Sequence, residues 1–183
     1  MRGAAGFSAK AEPTHMEAML ATEARAAAMP AAVRDRKNPV AASPEVIHEA
    51  MAHYADHCAV CHGNDGSGDT MMGKGMYPKP PDMRLPATQG KTDGELFSVI
   101  ENGVRLSGMP AFGGTGDAAS ELESWKLVAF LRHLPAMDAA EAQGLAGMTP
   151  RTPAEMEEEK QEADFLNGGE DAAADTTSKK RNK

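Results

Sequence analysis

Two cysteines and a histidine, spaced as C-x-x-C-H, are the residues in this chain with the most specific chemistry. They occur in the run Cys58-Ala59-Val60-Cys61-His62, and no other cysteine is present among the 183 residues. This is the spacing at which a c-type haem is attached. Two cysteines three positions apart on a helical turn reach the two vinyl groups of one haem, and the next residue supplies a ring nitrogen to the iron. The motif therefore predicts one covalent haem c, with Cys58 and Cys61 as thioether links and His62 as an axial ligand.

Other uses of a C-x-x-C pair have to be compared with haem attachment. A thioredoxin-like dithiol requires a βαβ pattern, and no alternating strand run precedes Cys58. A structural disulfide with Cys61 is a second alternative, and a zinc site is a third, although zinc needs about four Cys or His ligands at set spacing. No second cysteine pair exists, and the histidines nearby are expected to be solvated helix side chains, namely His48, His53 and His57. The histidine that follows the pair favours haem attachment.

The second axial ligand has to be chosen among thirteen methionines. A haem iron with histidine on one side takes Met, a second His or nothing on the other. Met109 is the predicted ligand, because it lies 47 positions after His62 in a Gly-Met-Pro turn between two predicted helices. His/Met ligation raises the reduction potential relative to two histidines and leaves no open site on the iron. The methionines of the intervening loop are expected to pack against the haem edge and the loop instead, namely Met71, Met72, Met76 and Met83.

Further residues are predicted to line the haem pocket. The second ring nitrogen of His62 is expected to donate a hydrogen bond to a backbone carbonyl. Three prolines are candidates for that carbonyl, namely Pro78, Pro80 and Pro81. The side chains expected to meet the haem propionates are those of Tyr77, Lys79, Arg84 and Arg105, although solvent exposure is the simpler expectation for Lys79. The candidate pocket residues are Tyr77, Pro81, Arg84, Arg105 and Trp125.

The helices that must position these residues begin and end at recognisable signals. Residues 13–29 are rich in Ala and Glu and favour a helix that Pro30 ends. Residues 34–39 are then expected to be an exposed linker. Ser43, followed by Pro and Glu, predicts the start of a second helix. Apolar residues at spacings of three and four continue it to Cys58, so this helix delivers its last turn to the haem.

Loops and two more helices follow the haem motif. The Gly-rich residues 63–69 and the Pro-rich residues 79–83 are predicted to be loops from their turn chemistry. A T-x-x-E capping box at Thr92 starts a short helix, which Gly103 ends. Apolar residues at helical spacing predict a last amphipathic helix that ends at Pro135.

Composition and charge set the organisation of the whole chain. The formal net charge is −8, which argues against nucleic acid as a partner. We divide the chain into an N-terminal helical flank and linker (1–42), a haem domain (43–135) and an acidic tail (136–183) that is partly helical, with a helix over 153–166, and then disordered. No signal peptide or membrane-spanning run is visible. Because haem attachment of this type is completed outside the cytoplasm, we expect a signal or anchor upstream of Met1, or a mature chain that begins here after processing.

Together these features resemble class I cytochromes c. The shared pattern comprises Tyr54 before the haem motif, the Met-Pro turn at Met109, and a last helix with Trp125. The branch related to subunit III of cbb3-type oxidases is especially similar. Its members often have C-H-G-x-x-G-x-G at the haem motif and G-x-x-x-x-G-M-P-x-F before the last helix. Here those patterns occur at residues 61–68 and 103–112.

The resemblance covers residues 43–135 and implies an all-α class I cytochrome c fold, with helices wrapped round one haem. In that family the first and last helices cross through small and aromatic residues. The residues that match this role here are Ala50, Tyr54, Trp125 and Phe130. A true oxidase subunit of this kind usually has two haem motifs, whereas this sequence has one.

The function expected from the motif and the resemblance is one-electron transfer, without enzyme activity, in a bacterial respiratory chain. The expected partners are a redox protein donor and acceptor, at the periplasmic or extracytoplasmic face of the membrane. Membrane contact is expected only through an anchor that is not present in this sequence. One alternative is an electron-entry subunit of a larger membrane oxidoreductase complex. Another is a haem enzyme or gas sensor in which Met109 is a labile ligand.

Overall fold

The computed structural model describes residues 8–114 and 116–148, which form helices and no strand. This confirms the all-α fold class. The described residues lie within a unit that spans Met1–Thr149. The helix predicted for 153–166, and the disorder predicted after it, lie outside the described residues, in the unit Pro150–Lys183.

The helices follow the chain in an order that places the haem motif early in the domain. They are α1 (His15–Ala28), α2 (Ala31–Arg34), α3 (Pro44–His57), α4 (Ala59–His62), α5 (Met71–Lys74), α6 (Pro86–Gln89), α7 (Asp93–Asn102), α8 (Ala118–His133) and α9 (Ala139–Met148), with a 3₁₀ turn at Leu134–Ala136. Over the described ranges, none of these helices combines the length and the apolar character that crossing a bilayer requires.

Side-chain caps start the helices where the sequence predicts them. The Ser43 hydroxyl accepts a hydrogen bond from the Val46 N–H at the start of α3. At α7, the Thr92 side chain accepts from the Glu95 N–H while the Glu95 carboxylate accepts from the Thr92 N–H, which is a complete capping box. Gly103 ends α7 with a φ of 64°, a left-handed conformation that glycine adopts without steric cost. These local predictions are confirmed.

The crossing of α3 and α8 forms the centre of the hydrophobic core. Tyr54 meets Phe130 edge-on, with ring centroids 5.0 Å apart, and both rings are buried. Such a pair contributes about 0.5–1.5 kcal/mol beyond the area that it buries. α7 also packs on α8, and there Phe97 and Trp125 stack with centroids 4.1 Å apart. The helix crossing implied by the resemblance is therefore confirmed for Tyr54 and Phe130, whereas Trp125 pairs with α7.

The segment before α3 packs on this core, and we call residues 31–40 the strap. Its helix α2 contacts α7. The central side chain of the strap is Arg36, whose guanidinium carbon lies 4.4 Å from the ring centroid of Phe97 and 5.1 Å from that of Trp125. The same guanidinium donates a hydrogen bond to the Glu121 carboxylate at 2.8 Å. A cation–π contact and an ion pair therefore hold the strap on the stacked rings.

Hydrogen bonds hold the strap on either side of its arginine. The Thr92 hydroxyl donates to the Arg34 carbonyl at 2.6 Å, and Asn38 Nδ2 donates to a backbone carbonyl of α8 at 2.9 Å. The prediction that 34–39 is an exposed linker is therefore wrong at Arg36 and Asn38. Charge and proline content describe this segment alone, and they carry no information about the aromatic pair that it meets in the folded chain.

The N-terminal helix α1 is held differently, because none of its residues is buried. The helix predicted over 13–29 is confirmed to within two residues at its start and one at its end. Glu17 of α1 shares a hydrogen bond with Tyr77, and the Lys79 ammonium pairs with Glu12 just before the helix. Exposed pairs of this kind contribute little to stability.

Helix α9 packs on α3, and it was not predicted from the sequence. Its Leu145 is completely buried, at 0% exposure. A D-x-x-E box starts the helix: the Asp138 carboxylate accepts from the Glu141 N–H at 2.9 Å, and the Glu141 carboxylate accepts from the Asp138 N–H at 3.0 Å. This box was the signal available in the sequence. The boundaries of the haem domain at 43–135 stay a prediction, and the strap and α9 extend the packed residues beyond both of them.

Candidate functional site

The end of α3 and the short α4 hold the C-x-x-C-H residues on one turn. The Cys58 N–H donates to the Tyr54 carbonyl at 2.8 Å and closes α3. The Cys58 carbonyl then accepts from the N–H groups of Cys61 at 3.1 Å and His62 at 2.9 Å. Gly63 follows with a φ of 77° and turns the chain out of the helix. The structure therefore brings the three predicted haem residues together.

The thiols of Cys58 and Cys61 are both free. Burial raises the pKa of Cys58 to about 12 and also raises the pKa of Cys61, so both thiols keep their protons at neutral pH. In residues 8–114 and 116–148, no group of three or more His, Cys, Asp or Glu side chains is placed to hold a metal ion. The disulfide and zinc alternatives thus gain no support here, whereas two protonated thiols on one turn fit addition to haem vinyl groups.

The imidazole of His62 has an unpaired nitrogen inside the protein. Its Nδ1 is buried and has no hydrogen-bond partner, and no other buried side-chain nitrogen or oxygen in the described part of the chain shares that condition. The predicted bond from a ring nitrogen to the carbonyl of Pro78, Pro80 or Pro81 is therefore not formed at Nδ1. Burial lowers the pKa of His62 and so favours the neutral ring, which is the form that binds metals. A neutral imidazole next to two free thiols fits a haem.

Tyr54 supports the backbone directly after the histidine. Its hydroxyl donates to the Gly63 carbonyl at 2.8 Å, and only 1% of the residue is exposed. Burial raises the pKa of Tyr54, so the hydroxyl remains a donor. Tyr54 was predicted to pack at the helix crossing, and this hydrogen bond was not predicted. The signal available in the sequence was a tyrosine eight positions before His62, on the helix that leads into the haem motif.

The predicted Gly-rich loop after the haem motif is confirmed, and it folds back on the motif. The Gly68 N–H donates to the His62 carbonyl at 2.7 Å, and the Thr70 hydroxyl donates to the Cys61 carbonyl at 3.2 Å. Gly68 has a φ of 74°, and a Cβ at this position would lie 2.5 Å from the Pro80 carbonyl oxygen. Only glycine fits where the Gly-rich and Pro-rich loops cross.

The turn that contains Met109 is shaped by hydrogen bonds at both backbone groups of that residue. The Met109 N–H donates to the Ser107 hydroxyl oxygen at 3.1 Å, and the Ser107 hydroxyl donates to the Val104 carbonyl at 2.7 Å. The Met109 carbonyl accepts from the Val104 N–H at 3.1 Å. The role of Ser107 in this turn was not predicted, although a serine two residues before a turn position is a known turn signal. Met109 is half-buried, and its ligation of a haem iron stays a prediction.

Met76 lies against the same turn. A Cβ on Gly108 would be 2.9 Å from the Sδ atom of Met76, so this side chain occupies the space beside the residue that precedes Met109. Met76 was predicted to pack against the haem edge and the loop, and its contact with the turn was not predicted. Among the other methionines of the loop, Met71 is 93% exposed and Met83 is buried.

Two predicted pocket residues bind other side chains. Arg84 pairs with Asp82 at 2.7 Å and with Asp65 of the Gly-rich loop at 3.0 Å. Its guanidinium therefore already has two anionic partners and connects the loops on which they lie. Tyr77 is exposed and shares its hydrogen bond with Glu17 of α1. A contact of either residue with a haem propionate stays a prediction.

The remaining predicted pocket residues lie in different environments. Pro81 and Arg105 are exposed, so neither is held in the core. Trp125 is buried between α7 and the strap, where it stacks on Phe97 and meets Arg36. A role in the haem pocket stays a prediction for these three residues as well.

Comparison with known protein families identifies the segment that contains this site. The family model described as cytochrome C oxidase, cbb3-type, subunit III matches residues 45–131. A comparison with curated proteins gives no match. The matched segment runs from the first turn of α3 into α8 and includes both the C-x-x-C-H turn and the Met109 turn. It is a cytochrome c domain, which implies haem binding and electron transfer. Residues 45–131 are therefore similar to the cbb3-type cytochrome c oxidase subunit III domain family.

Proposed function

We propose that the protein transfers single electrons through one haem c that is bound covalently at Cys58 and Cys61. The main support is a helical turn on which two free, protonated thiols precede a neutral imidazole with an unpaired buried nitrogen. The family match over the same residues supports the same chemistry. Haem supplies an iron that changes between the ferric and ferrous states.

Attachment at the two cysteines is an addition reaction. Cys58 and Cys61 would each form a bond from sulfur to one vinyl carbon, and the thiol proton would go to the neighbouring carbon, so that the double bond would become a single bond. The reaction needs no oxidant and has no leaving group.

We propose His62 and Met109 as the axial ligands. The lowered pKa of His62 keeps the ring neutral and able to bind the iron. The hydrogen bonds of the Met109 backbone hold that turn in one shape. A thioether is a soft ligand that favours the ferrous state, so it raises the reduction potential relative to two histidines. With both ligands bound, no position on the iron is open to a substrate, which supports a carrier rather than an enzyme.

The partners that we propose are a redox donor and a redox acceptor outside the cytoplasm, in a bacterial respiratory chain. Val60, which lies between the two cysteines, is exposed, so a partner can approach the side of haem attachment. The match to an oxidase subunit favours a second candidate role, in which the chain is the electron-entry subunit of a larger membrane complex. Co-purification from detergent-solubilised membranes with an oxidoreductase would favour the second role, and recovery alone from the periplasmic fraction would favour the first.

The visible spectrum of the purified holoprotein tests the ligation. We expect sharp reduced bands, a weak far-red sulfur-to-iron band in the oxidised form, and no response to carbon monoxide. Met109→Ala should lose the far-red band and bind carbon monoxide, whereas Met16→Ala, at an exposed residue of α1, should behave as the unmodified protein. A high-spin spectrum that shifts with carbon monoxide in the unmodified protein would refute the carrier and favour a haem enzyme or gas sensor.

Covalent attachment has its own test. Haem should remain with the polypeptide on a denaturing gel, and it should be lost from a Cys58→Ala/Cys61→Ala double variant. Retention of haem by the double variant, or its loss from the unmodified chain, would contradict the two thioether bonds.

A further inference from the structure

The side chain of Met76, in the loop that follows the haem motif, lies against the turn that presents Met109. We propose that Met76 is a positioning residue for the Met109 thioether: by filling the space beside Gly108, it holds the turn closed on the iron. The inference rests on the proposed function, because it takes Met109 to be the axial ligand. It adds a residue that acts on the iron only through Met109.

The contact with Gly108 is close and involves much of the methionine side chain. A Cβ on Gly108 would lie 2.9 Å from Sδ of Met76, 3.2 Å from Cε and 3.3 Å from Cγ. The side chain therefore covers the face of the glycine where a β-carbon would stand. Methionine suits this role, because its unbranched thioether fills irregular gaps. Gly108 suits it as well, because a larger residue would push the thioether away.

Met76 is in turn connected to the segment that attaches the haem. Its N–H donates to the Gly73 carbonyl at 3.1 Å. Gly73 is buried, and a Cβ there would lie 2.8 Å from the Cys61 carbonyl oxygen. The Thr70 hydroxyl accepts from the Gly73 N–H at 2.8 Å and donates to the Cys61 carbonyl at 3.2 Å. Met76 thus links the haem-attachment turn to the Met109 turn.

The turn needs such a contact because its other bonds do not reach the haem motif. The hydrogen bonds of Ser107 and Val104 lie within the turn, so they set its shape and move with it. Leu106, the large apolar residue of the turn, is 91% exposed and has a φ of 61°. Its side chain therefore does not pack against the loop that follows the haem motif. The half-buried Met76 is placed to supply that packing.

The affinity of the ferrous holoprotein for carbon monoxide reports the fraction of molecules in which Met109 has left the iron. A ligand that binds only the open form has an apparent affinity proportional to the fraction of molecules in that form. We expect Met76→Ala to raise the affinity of the ferrous holoprotein for carbon monoxide about tenfold, which corresponds to about 1.4 kcal/mol. Met76→Leu should stay within about twofold of the unmodified protein, because leucine conserves the volume.

The matched control is Met16→Ala, which removes the same side-chain type from α1 at a residue that is 64% exposed. It should leave the affinity for carbon monoxide and the far-red ferric band unchanged. Far-UV circular dichroism during thermal unfolding separates a changed turn from a changed fold, since a purely structural defect lowers the unfolding temperature without weakening the far-red band of the folded protein.

Equal affinities in Met76→Ala and Met16→Ala would overturn the inference, and so would a Met76→Leu variant that matches Met76→Ala. If Met76→Ala does not fold, Gly108→Ala makes the same test, because its methyl group enters the space of the thioether and should also raise the affinity; no change would overturn the inference. Failure of the proposed function has a different signature, namely a Met109→Ala variant that keeps its far-red band and binds no carbon monoxide.

Discussion

Replacing Arg36 with alanine should lower the free energy of unfolding, although this residue lies in a segment with the composition of a linker. The guanidinium lies over Phe97 and Trp125 and also pairs with Glu121. The variant removes the cation–π contact, the ion pair and the aliphatic stem that packs beneath them. The strap should then separate from α7 and α8 at a lower free-energy cost.

The size of the effect follows from the exposure of each group. A guanidinium at 4.4 Å from the Phe97 centroid, at a partly buried site, contributes about 0.5–2 kcal/mol. The ion pair contributes less, because 37% of the Arg36 side chain and 39% of the Glu121 side chain are exposed, and exposed pairs are worth about 0.2–1 kcal/mol. We therefore expect Arg36→Ala to lower the free energy of unfolding by about 1–2 kcal/mol, with the aromatic contact as the larger part.

Urea unfolding of the holoprotein, followed by far-UV circular dichroism, measures this change. The matched control is Lys37→Ala, which removes the neighbouring cation at an exposed position of the same strap. It should change the free energy of unfolding by less than about 0.5 kcal/mol. Glu121→Gln should fall between the two, since it removes the ion pair and leaves the aromatic contact. Equal stabilities of Arg36→Ala and Lys37→Ala would refute the packed strap and restore the exposed linker.

Three further changes test other parts of the structure. Tyr54→Phe removes the hydroxyl that donates to the buried carbonyl just after α4, so it should lower the free energy of unfolding by about 1–3 kcal/mol in urea titrations; an unchanged midpoint would contradict that hydrogen bond. Ser107→Ala removes the hydroxyl inside the Met109 turn, so the far-red band should weaken and carbon monoxide should bind more tightly; an identical spectrum and affinity would count against it. The hydrogen bond from the Asp138 N–H is the largest cause that lowers the pKa of Glu141. The ionised carboxylate therefore stabilises the fold fully above its ordinary pKa of 4.5. This contribution to the free energy of unfolding is lost as the pH falls through the lowered pKa. Glu141→Gln should therefore be less stable than the unmodified protein at neutral pH, and the difference should shrink in acid; a difference independent of pH would contradict the assignment.

Four of the longer helices, α1, α3, α7 and α8, were predictable because their signals are local. The Ser43 cap and the Thr92–Glu95 box use side chains and N–H groups within three residues of each other, so the sequence contains both partners of each bond. The D-x-x-E box at Asp138 is equally local and was missed because the tail was judged by its acidic composition. Its helix α9 becomes stable by burying Leu145 against α3, and that contact is not visible in composition.

The residues of the candidate site also comprise some that were predictable from local spacing and others that depend on tertiary contacts. Cys58, Cys61 and His62 lie within five consecutive residues, and their use follows from their spacing on one helical turn. The hydroxyl of Tyr54 and the thioether of Met76 act on distant backbone atoms, so their roles depended on the path of the chain. A proline carbonyl was predicted to accept a hydrogen bond from His62, but the buried Nδ1 of this residue has no partner. The path of the loop in the folded chain decides which carbonyl groups come near the ring.

The sequence by itself determined the haem-motif spacing and the ends of the helices with local caps, since these involve residues a few positions apart. The tertiary structure alone decided what the aromatic residues meet and what holds the flanks. Arg36 and Glu121 are 85 positions apart, and no local pattern pairs them. Such contacts form because burying the Phe97–Trp125 stack and Leu145 lowers the free energy of the whole chain, and that gain exists only once α3, α7 and α8 have packed together.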